Sequence, residues 1–259
     1  GQYARTESYF SNSELASDGL PGPAERAILE PYREALAPEV LTREYTPPYT
    51  AGPGGLRANL REAVALLQAA GWKFEGQRLV HGETGEPFTM EILLVNPSFE
   101  RVALPYARNL ERIGITASVR TVDTTQYQNR LDGFDFDMVV NVFGQSLSPG
   151  NEQRDFWGSA AADTPGSRNL AGVRDEVVDA LVDLVIAAPD RESLVHRTRA
   201  LDRVLLWGHY VVPHWHSQSF RIAYWDKFAH PEVTPRYALG FDTWWVEPAK
   251  AGRLEGKGR

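Results

Sequence analysis

A polar loop at residues 143–154 holds the residues of this chain that are best suited to chemistry. It reads Phe-Gly-Gln-Ser-Leu-Ser-Pro-Gly-Asn-Glu-Gln-Arg and follows a strand-like run at residues 134–143, which is dense in aromatic and β-branched residues. A loop of this composition can direct many hydrogen-bond donors and acceptors into a cleft. It contains no nucleophile paired with a base, as covalent catalysis would need. The composition therefore predicts a surface that holds a ligand without reacting with it.

Arg154 ends this loop and has two interpretations. Its planar guanidinium could bind a ligand carboxylate through two parallel hydrogen bonds. It could equally tie the loop to the neighbouring carboxylates of Asp155 or Glu152. The sequence leaves both interpretations open.

Two other groups of residues could do chemistry, and each also has a structural explanation. Asp135 and Asp137 could act in acid–base catalysis or hold a cation, but carboxylates at the start of a strand also cap it. His214 and His216 have a spacing that can ligate zinc, yet aromatic–polar alternation on a half-buried strand explains them as well. The sequence has no Gly-x-Ser-x-Gly turn, phosphate-binding loop or dinucleotide fingerprint. An NTPase or an oxidoreductase is therefore hard to support.

The composition narrows the class of protein. The 259 residues suffice for one large domain or two small ones, and 42% hydrophobic with 24% charged residues is ordinary for a globular chain. A net charge of −7 argues against nucleic acid as a partner, because phosphate binding needs a basic face. Cysteine is absent, which excludes disulfides and thiolate metal sites. No apolar run could cross a bilayer, and residues 1–5 lack the features of a signal peptide.

Hydrophobic periodicity predicts the elements that must position these residues. Residues 72–85 predict a hairpin, residues 1–22 no regular structure, and the residues from Gly252 onward a loose tail. Because helices and strands alternate through the middle of the chain, we expect an α/β fold in which helices cover a largely parallel sheet. Helices are predicted at residues 23–36, 56–70, 99–113, 124–131, 174–187 and 190–207. Strands are predicted at residues 88–95, 115–122, 134–143, 210–215 and 220–225.

Several separated motifs resemble the family 5 extracellular solute-binding proteins, which are the peptide and oligopeptide receptors of ABC importers. The most specific motifs are Phe-Asp-Phe-Asp at residues 134–137, the loop at residues 144–154, and Gly-Ser-Arg-Asn at residues 166–169. Further matches lie at residues 8–16, 29–33, 69–72 and 200–206. The set is most similar to the subgroup that imports oligopeptides and the peptide–nucleotide antibiotic microcin C. It covers nearly the whole chain in the expected order.

This resemblance implies the C-terminal part of a two-lobed receptor about twice as long. The fold would be a periplasmic-binding-protein-like (type II) lobe, a mixed sheet flanked by helices. Residues 1–217 would form the second lobe, and residues 218–259 would return toward the first lobe and end in a flexible tail. Ligand would bind between the two lobes, which close by a hinge motion. An exposed apolar edge is expected where the first lobe would pack, and a fragment could dimerise through it.

For function, the resemblance implies a bacterial periplasmic receptor that delivers oligopeptides or modified peptides to an ABC permease, with no cofactor and no metal. In relatives that take short peptides, an aspartate in this loop pairs with the peptide amino terminus. Here residues 144–146 read Gly-Gln-Ser, which leaves Glu152 as the candidate for that role. The expected ligand contacts, with three aromatic walls, are Gln145, Ser146, Leu147, Ser148, Asn151, Glu152, Arg154, Trp157, Trp215 and Phe220.

Two competing functions come from the residues themselves. A hydrolase would use Asp135 and Asp137, or a metal held by His214 and His216, and would show turnover. An interaction module would instead present the aromatic C-terminal region to a partner protein.

Overall fold

The computed structural model describes residues 3–255, in which short strands alternate with helices. Within this range no helix is both long enough and apolar enough to cross a bilayer. The strands are β1 (Ala4–Arg5), β2 (Trp72–Glu75), β3 (Arg78–His81), β4 (Thr89–Leu94), β5 (Thr116–Thr121), β6 (Met138–Val139), β7 (Trp215–His216), β8 (Phe228–Ala229) and β9 (Trp245–Val246). The α-helices are α1 (Pro23–Leu29), α2 (Glu39–Thr42), α3 (Gly55–Ala69), α4 (Glu100–Glu111), α5 (Thr124–Asp132), α6 (Glu152–Trp157), α7 (Glu176–Ile186), α8 (Arg191–Trp207) and α9 (Pro248–Glu255).

A three-stranded sheet in the order β5–β4–β6 confirms the predicted parallel sheet. Ile92 on β4 is the partner of Val119 on β5 and of Met138 on β6, and both pairings are parallel. Residues along β5 alternate between exposed and half-buried, because successive strand residues face opposite sides of a sheet. Ala103 of α4 shares an apolar core with Ile92, so this helix covers one face of the sheet.

The predicted hairpin is confirmed between β2 and β3. Its antiparallel register pairs Trp72 with His81, and Gly76 turns the chain with a φ of 64°, which glycine adopts without steric cost. Leu79 of β3 is fully buried in a second apolar core, where Val64 of α3 packs against it. The predicted bounds of α3 differ from the observed ones by one residue at each end.

The third apolar core lies among α1, α2, α6, α7 and α8. Leu201 and Leu205 of α8 are fully buried there, together with Leu181 of α7. Asp190 caps α8, because its carboxylate accepts the Ser193 N–H at 2.8 Å. The two long helices predicted before and after residue 188 are therefore confirmed and pack against each other.

Residues 3–22 contain little regular structure beyond β1, as predicted, but several of them are held against α8. Phe10 is buried. The fully buried Asp202 carboxylate of α8 accepts the Tyr9 N–H at 2.9 Å, the Ser17 N–H at 2.9 Å and the Ser17 hydroxyl at 2.7 Å. Burial raises the pKa of Asp202, and these hydrogen bonds act in the opposite direction. Periodicity could not reveal contacts between residues 193 positions apart.

Arg203, the next residue of α8, holds the stretch that leads into α1. Its Nε donates to Glu25 Oε2 at 2.6 Å, and its Nη1 and Nη2 donate to the carbonyls of Gly19 at 2.8 Å and Asp18 at 2.6 Å. The Arg203 and Glu25 side chains are only 5% and 6% exposed. Because a buried charge without a partner is strongly unfavourable, this pair fixes how the leading segment meets the helices.

Three predicted strands are shortened or wrong, because the described residues offer them few partners. Only Met138 and Val139 of the predicted strand at residues 134–143 pair with a neighbour, and Phe134 leaves the extended region with a φ of 53°. The strand predicted at residues 210–215 is present only at its end, where β7 (Trp215–His216) pairs with β1. Residues 220–225 form no strand, whereas β8 pairs with β9 further along the chain.

The helices also differ from the predictions at three places. α1 ends at Leu29 rather than near residue 36, and the 3-10 helix Glu30–Tyr32 follows, because Pro31 has no amide hydrogen to continue the α-helical bonds. α6 was not predicted. α9 occupies the start of the predicted loose tail, the rest of which lies at residues 256–259, outside the described residues.

Replacing Arg203 by Met should lower the free energy of unfolding by about 3–5 kcal/mol, because Glu25 would remain as a buried charge without its partner. Urea unfolding followed by circular dichroism measures the change. The control is Arg33→Met, which removes the exposed ion pair with Glu30 and should leave the unfolding midpoint nearly unchanged. Equal, small losses in the two variants would contradict the role given to the buried pair.

Candidate functional site

A cleft of about 610 Å³ opens beside β6. One wall is β6 with the residues that follow it to Phe143, and a second is the segment after α8 at residues 209–216. Tyr106 of α4 and Tyr9 of the leading segment are among the other residues that line it. The lining is mostly apolar, which is the usual character of sites for organic ligands.

Charge is scarce in this cleft. Among the described residues that line it are the Asp137 carboxylate and the rings of His209, His214 and His216, with neither lysine nor arginine. Partial burial, and then the charge of Arg5, hold the pKa of His214 below its ordinary value, which favours the neutral imidazole at neutral pH. The lining therefore suits an uncharged group better than an anion.

The strand beside the cleft has a free hydrogen-bonding edge. β6 pairs with β4 along one edge, and within residues 3–255 no strand pairs with the other. Among the residues that follow β6, Val142 is 84% exposed. A free edge of this kind can accept an added strand through its main-chain N–H and C=O groups.

The predicted binding loop, residues 143–154, continues directly from this wall. Gln145 lines the cleft. Arg191 at the start of α8 holds the loop in place by donating to the Leu147 carbonyl, and it pairs with Glu14 at 2.7 Å. Three further predicted contacts are exposed beside Gln145, namely Ser146, Leu147 and Ser148.

Arg154 forms an ion pair that the sequence did not predict. Its Nη2 lies 2.7 Å from Asp183 Oδ1 on α7, and its Nη1 donates to Asn151 Oδ1 at 2.9 Å. The partner carboxylate is thus neither Asp155 nor Glu152, because α6 packs on α7 and brings Arg154 close to that helix. The paired side chains of Arg154 and Asp183 are 54% and 66% exposed, so the pair stays accessible to solvent.

Glu152 is the first residue of α6, and its side chain bonds to the backbone of the turn just before the helix. Its carboxylate accepts the Gly150 N–H at 2.8 Å. Burial acts to raise the pKa of Glu152, but hydrogen bonds from backbone N–H groups and from Gln153 outweigh burial, and the pKa lies below its ordinary value. Glu152 is therefore ionised at neutral pH, with part of its hydrogen-bonding capacity already used by the loop.

Trp157 lies behind the cleft, which corrects the prediction that it forms an apolar wall. Its side chain is fully buried. The ring packs on Tyr9 and Phe143, with centroid distances of 4.8 Å and 4.7 Å. Those two residues line the cleft and separate Trp157 from it, so the role of Trp157 is to support the lining from behind.

The other two predicted walls lie after α8. Trp215 lines the cleft, is 40% exposed, and stacks on the His214 ring with centroids 5.0 Å apart. Phe220 is 65% exposed and is not among the described residues that line the cleft. Trp215 therefore forms an aromatic wall, and Phe220 lies outside it.

The residues of the competing catalytic functions make structural contacts. Asp137 Oδ2 accepts a backbone N–H of β4 at 2.8 Å, and Asp135 Oδ2 lies 3.0 Å from Arg130 Nε. His216 Nδ1 lies 3.3 Å from Thr6 Oγ1. In the described part of the chain, no three His, Asp or Glu side chains converge to hold a metal ion. These contacts match the capping interpretation of the two aspartates.

Gln153 is a site residue that the sequence analysis missed. It is fully buried on α6, donates through Nε2 to Gln145 Oε1 at 2.7 Å, and accepts the Trp157 Nε1–H at 3.0 Å. A glutamine four positions before a tryptophan is a usable signal, because residues i and i+4 share one face of a helix. The signal was not available here because α6 itself was not predicted.

The sequence matches the family model described as "Bacterial extracellular solute-binding proteins, family 5 Middle" over residues 30–164. The chain therefore belongs to family 5 of the bacterial extracellular solute-binding proteins, as its motifs implied. This is a family of binding proteins rather than of enzymes.

Two relatives illustrate the match. The chain is 54% identical over 249 residues to the uncharacterized protein y4wM of Sinorhizobium fredii, with 96% of this chain and 38% of that protein covered. It is 49% identical over 253 residues to the probable peptide-binding protein YejA of Agrobacterium fabrum, with 97% and 41% covered. The chain thus spans about two fifths of the length of these curated relatives.

A solved structure supports the fold. The oligopeptide-binding protein AppA from Bacillus subtilis, in complex with a nonapeptide, aligns with a TM-score of 0.54 at 16% identity. The alignment covers 86% of this chain and 45% of that chain. The α/β fold of a type II periplasmic binding protein, with helices around a mixed set of strands, is therefore shown.

The buried side chain of Asn169 holds the backbone just after the end of α6. Its buried Nδ2 donates to the carbonyls of Gly158 at 3.0 Å and Val173 at 2.9 Å, and its Oδ1 accepts the Val173 N–H at 2.9 Å. These bonds fix the chain directly after Trp157. The last position of the motif at residues 166–169 is therefore structural.

Replacing Asn169 by Ala should lower the free energy of unfolding by about 3 kcal/mol, because buried backbone groups of Gly158 and Val173 would lose their partners. Thermal and urea unfolding measure the loss. The matched control is Asn129→Ala on the exposed side of α5, which should cost nothing because Ala is the better helix former. A loss below about 1 kcal/mol for Asn169→Ala would contradict the anchoring role.

Proposed function

We propose that this chain is part of the substrate-binding component of an ABC importer, which captures oligopeptides or modified peptides and delivers them to a membrane permease. Membership of a solute-binding family supports the binding role, and the name of the Agrobacterium fabrum relative supports peptides as the ligand. The extracellular character of the family supports a periplasmic location. In this proposal no peptide bond is made or broken, and no cofactor takes part.

The observation that carries the proposal is the apolar cleft along the free edge of β6. An extended peptide can add to such an edge through main-chain hydrogen bonds, which do not depend on its side chains. Because the lining carries little charge, the peptide does not need charged side chains in order to bind. Both features suit a receptor that accepts peptides of varied sequence.

The predicted ligand contacts fall into three groups in this proposal. Gln145 and Trp215 line the cleft and would touch the peptide directly. Trp157 would act from behind by supporting Tyr9 and Phe143. The remaining predicted residues would reach the peptide when a second lobe closes over the cleft, and they are Ser146, Leu147, Ser148, Asn151, Glu152, Arg154 and Phe220.

We also propose that residues 1–217 form one lobe and that residues 218–259 return toward the other. In the described part of the chain, all three apolar cores use residues up to Tyr210. Beyond them, Trp225 and Val233 are 71% and 86% exposed. Exposed apolar side chains in one region favour an interface, so we expect another part of the receptor, or a second copy of an isolated fragment, to cover them.

The longest natural polypeptide that contains this chain should retain intact peptides from a random library of peptides up to nonapeptides, as identified by mass spectrometry. Replacing Trp215 by Ala should weaken the most enriched peptide about tenfold, because a buried aromatic contact contributes more than ~1 kcal/mol to binding. Calorimetry measures the affinity. The control is Leu66→Ala, which removes an apolar side chain of α3 that is 63% exposed and lies outside the cleft, and this variant should bind normally.

Two results would contradict this proposal. Recovery of cleaved peptides would favour the hydrolase, and Asp137→Asn should then abolish cleavage. Failure to retain any peptide from the library would remove the assigned ligand class.

A further inference from the structure

Gln145 is held in one orientation by buried neighbours. We propose that its Nε2 donates a hydrogen bond to a backbone carbonyl oxygen of the bound peptide, and that Gln153 is the positioning residue for this contact. The inference rests on the proposed peptide-binding function and specifies the chemistry of one contact within it. It depends on a chain of hydrogen bonds that joins Trp157, Gln153 and Gln145.

The indole of Trp157 sets the orientation of both amides. An indole N–H can only donate, so the end of Gln153 that lies 3.0 Å from Trp157 Nε1 must be its carbonyl oxygen. The other end of Gln153 is then the NH2 group, which donates to Gln145 Oε1 at 2.7 Å and to Glu152 Oε1 at 3.2 Å. Because Gln145 must present its oxygen to Gln153, its own NH2 group is the end that remains.

Gln145 lines the cleft, and the remaining end of its side chain is a buried donor. Its Nε2 is shielded from solvent by the surrounding atoms and has no hydrogen-bond partner among residues 3–255. By contrast, Gln153 uses both its oxygen and its NH2 group within the protein. A buried donor without an acceptor is unfavourable, so the Gln145 side chain is arranged to gain free energy when a ligand brings an acceptor.

The charges around the site favour a neutral acceptor. Asp137 is the charged residue in the described lining, where lysine and arginine are absent, and the ionised Glu152 lies next to Gln153. A ligand carboxylate would meet no lysine or arginine in the described lining, and at Gln145 it would approach the ionised Glu152. A peptide carbonyl oxygen accepts an N–H bond without carrying charge. It also recurs at each residue of a peptide, which fits a receptor for varied sequences.

The support behind Gln145 is rigid. Gln153 and Trp157 are both fully buried, and the Trp157 ring packs on Tyr9 and Phe143. Rotation of the Gln153 amide would place its NH2 against the indole N–H and its oxygen against Glu152. Both new contacts would be repulsive, so the donor of Gln145 is oriented before the peptide arrives.

A double-mutant cycle on the longest natural polypeptide containing this chain tests the inference. The probe is the peptide most enriched from the library described above. Gln145→Met removes the donor and should weaken the peptide about tenfold, and Gln153→Met should weaken it to a similar extent by releasing Gln145. If Gln153 acts through Gln145, the double variant should also lose about tenfold rather than about a hundredfold. The matched control is Gln128→Met on the exposed side of α5, which should bind normally.

A spectroscopic signal separates this role from a purely structural one. The Gln145 side-chain NH2 resonance, assigned from its loss in Gln145→Met, should shift and become protected from exchange when the peptide is added. In Gln153→Met this response should shrink, while thermal unfolding shows whether the fold is kept.

Normal peptide affinity in Gln145→Met, or multiplied losses in the double variant, would overturn the inference while leaving the proposed function intact. An unresponsive Gln145 NH2 resonance in protein that binds the peptide would overturn it as well. Loss of all peptide binding by the unaltered protein would instead overturn the proposed function.

Discussion

Asp202 and Arg203 on α8 bury a carboxyl group and a guanidinium group next to each other, and the placement of the leading segment depends on both. Adjacent residues on a helix point in directions about 100° apart, so the two side chains reach different parts of that segment. Asp202 accepts hydrogen bonds from Tyr9 and Ser17, and Arg203 pairs with Glu25. Since a buried charge is tolerated only with its partners, the segment cannot leave α8 without a large loss of stability.

That constraint extends to the cleft. The hydrogen bond from its N–H to Asp202 places Tyr9 in the lining, where its ring meets Phe143 and Trp157. Trp157 in turn holds Gln153, which holds Gln145. The position of Gln145 in the wall of the cleft therefore depends on Asp202 of α8, through the packed rings of Tyr9 and Trp157 and the amide of Gln153.

The neutral character of the cleft follows from where the nearby charges are paired. Arg154 pairs with Asp183, and Arg191 pairs with Glu14 while it holds the loop through the Leu147 carbonyl. These ion pairs leave hydrogen-bonding groups and aromatic faces as the means of recognition in the described lining. Main-chain recognition along a strand edge needs neither sign of charge, which agrees with the proposed peptide ligand.

The long helices, the hairpin, the parallel sheet and the family could all be predicted from the sequence, because periodicity and local motifs report the faces of single elements. The sequence also predicted a ligand contact at Gln145, which lines the cleft. Four features needed the folded structure: the leading segment is held against α8, β6 is short, Asp183 pairs with Arg154, and Trp157 is buried. Each of these depends on partners many positions away, and sequence spacing carries no information about which distant groups will share a buried hydrogen bond.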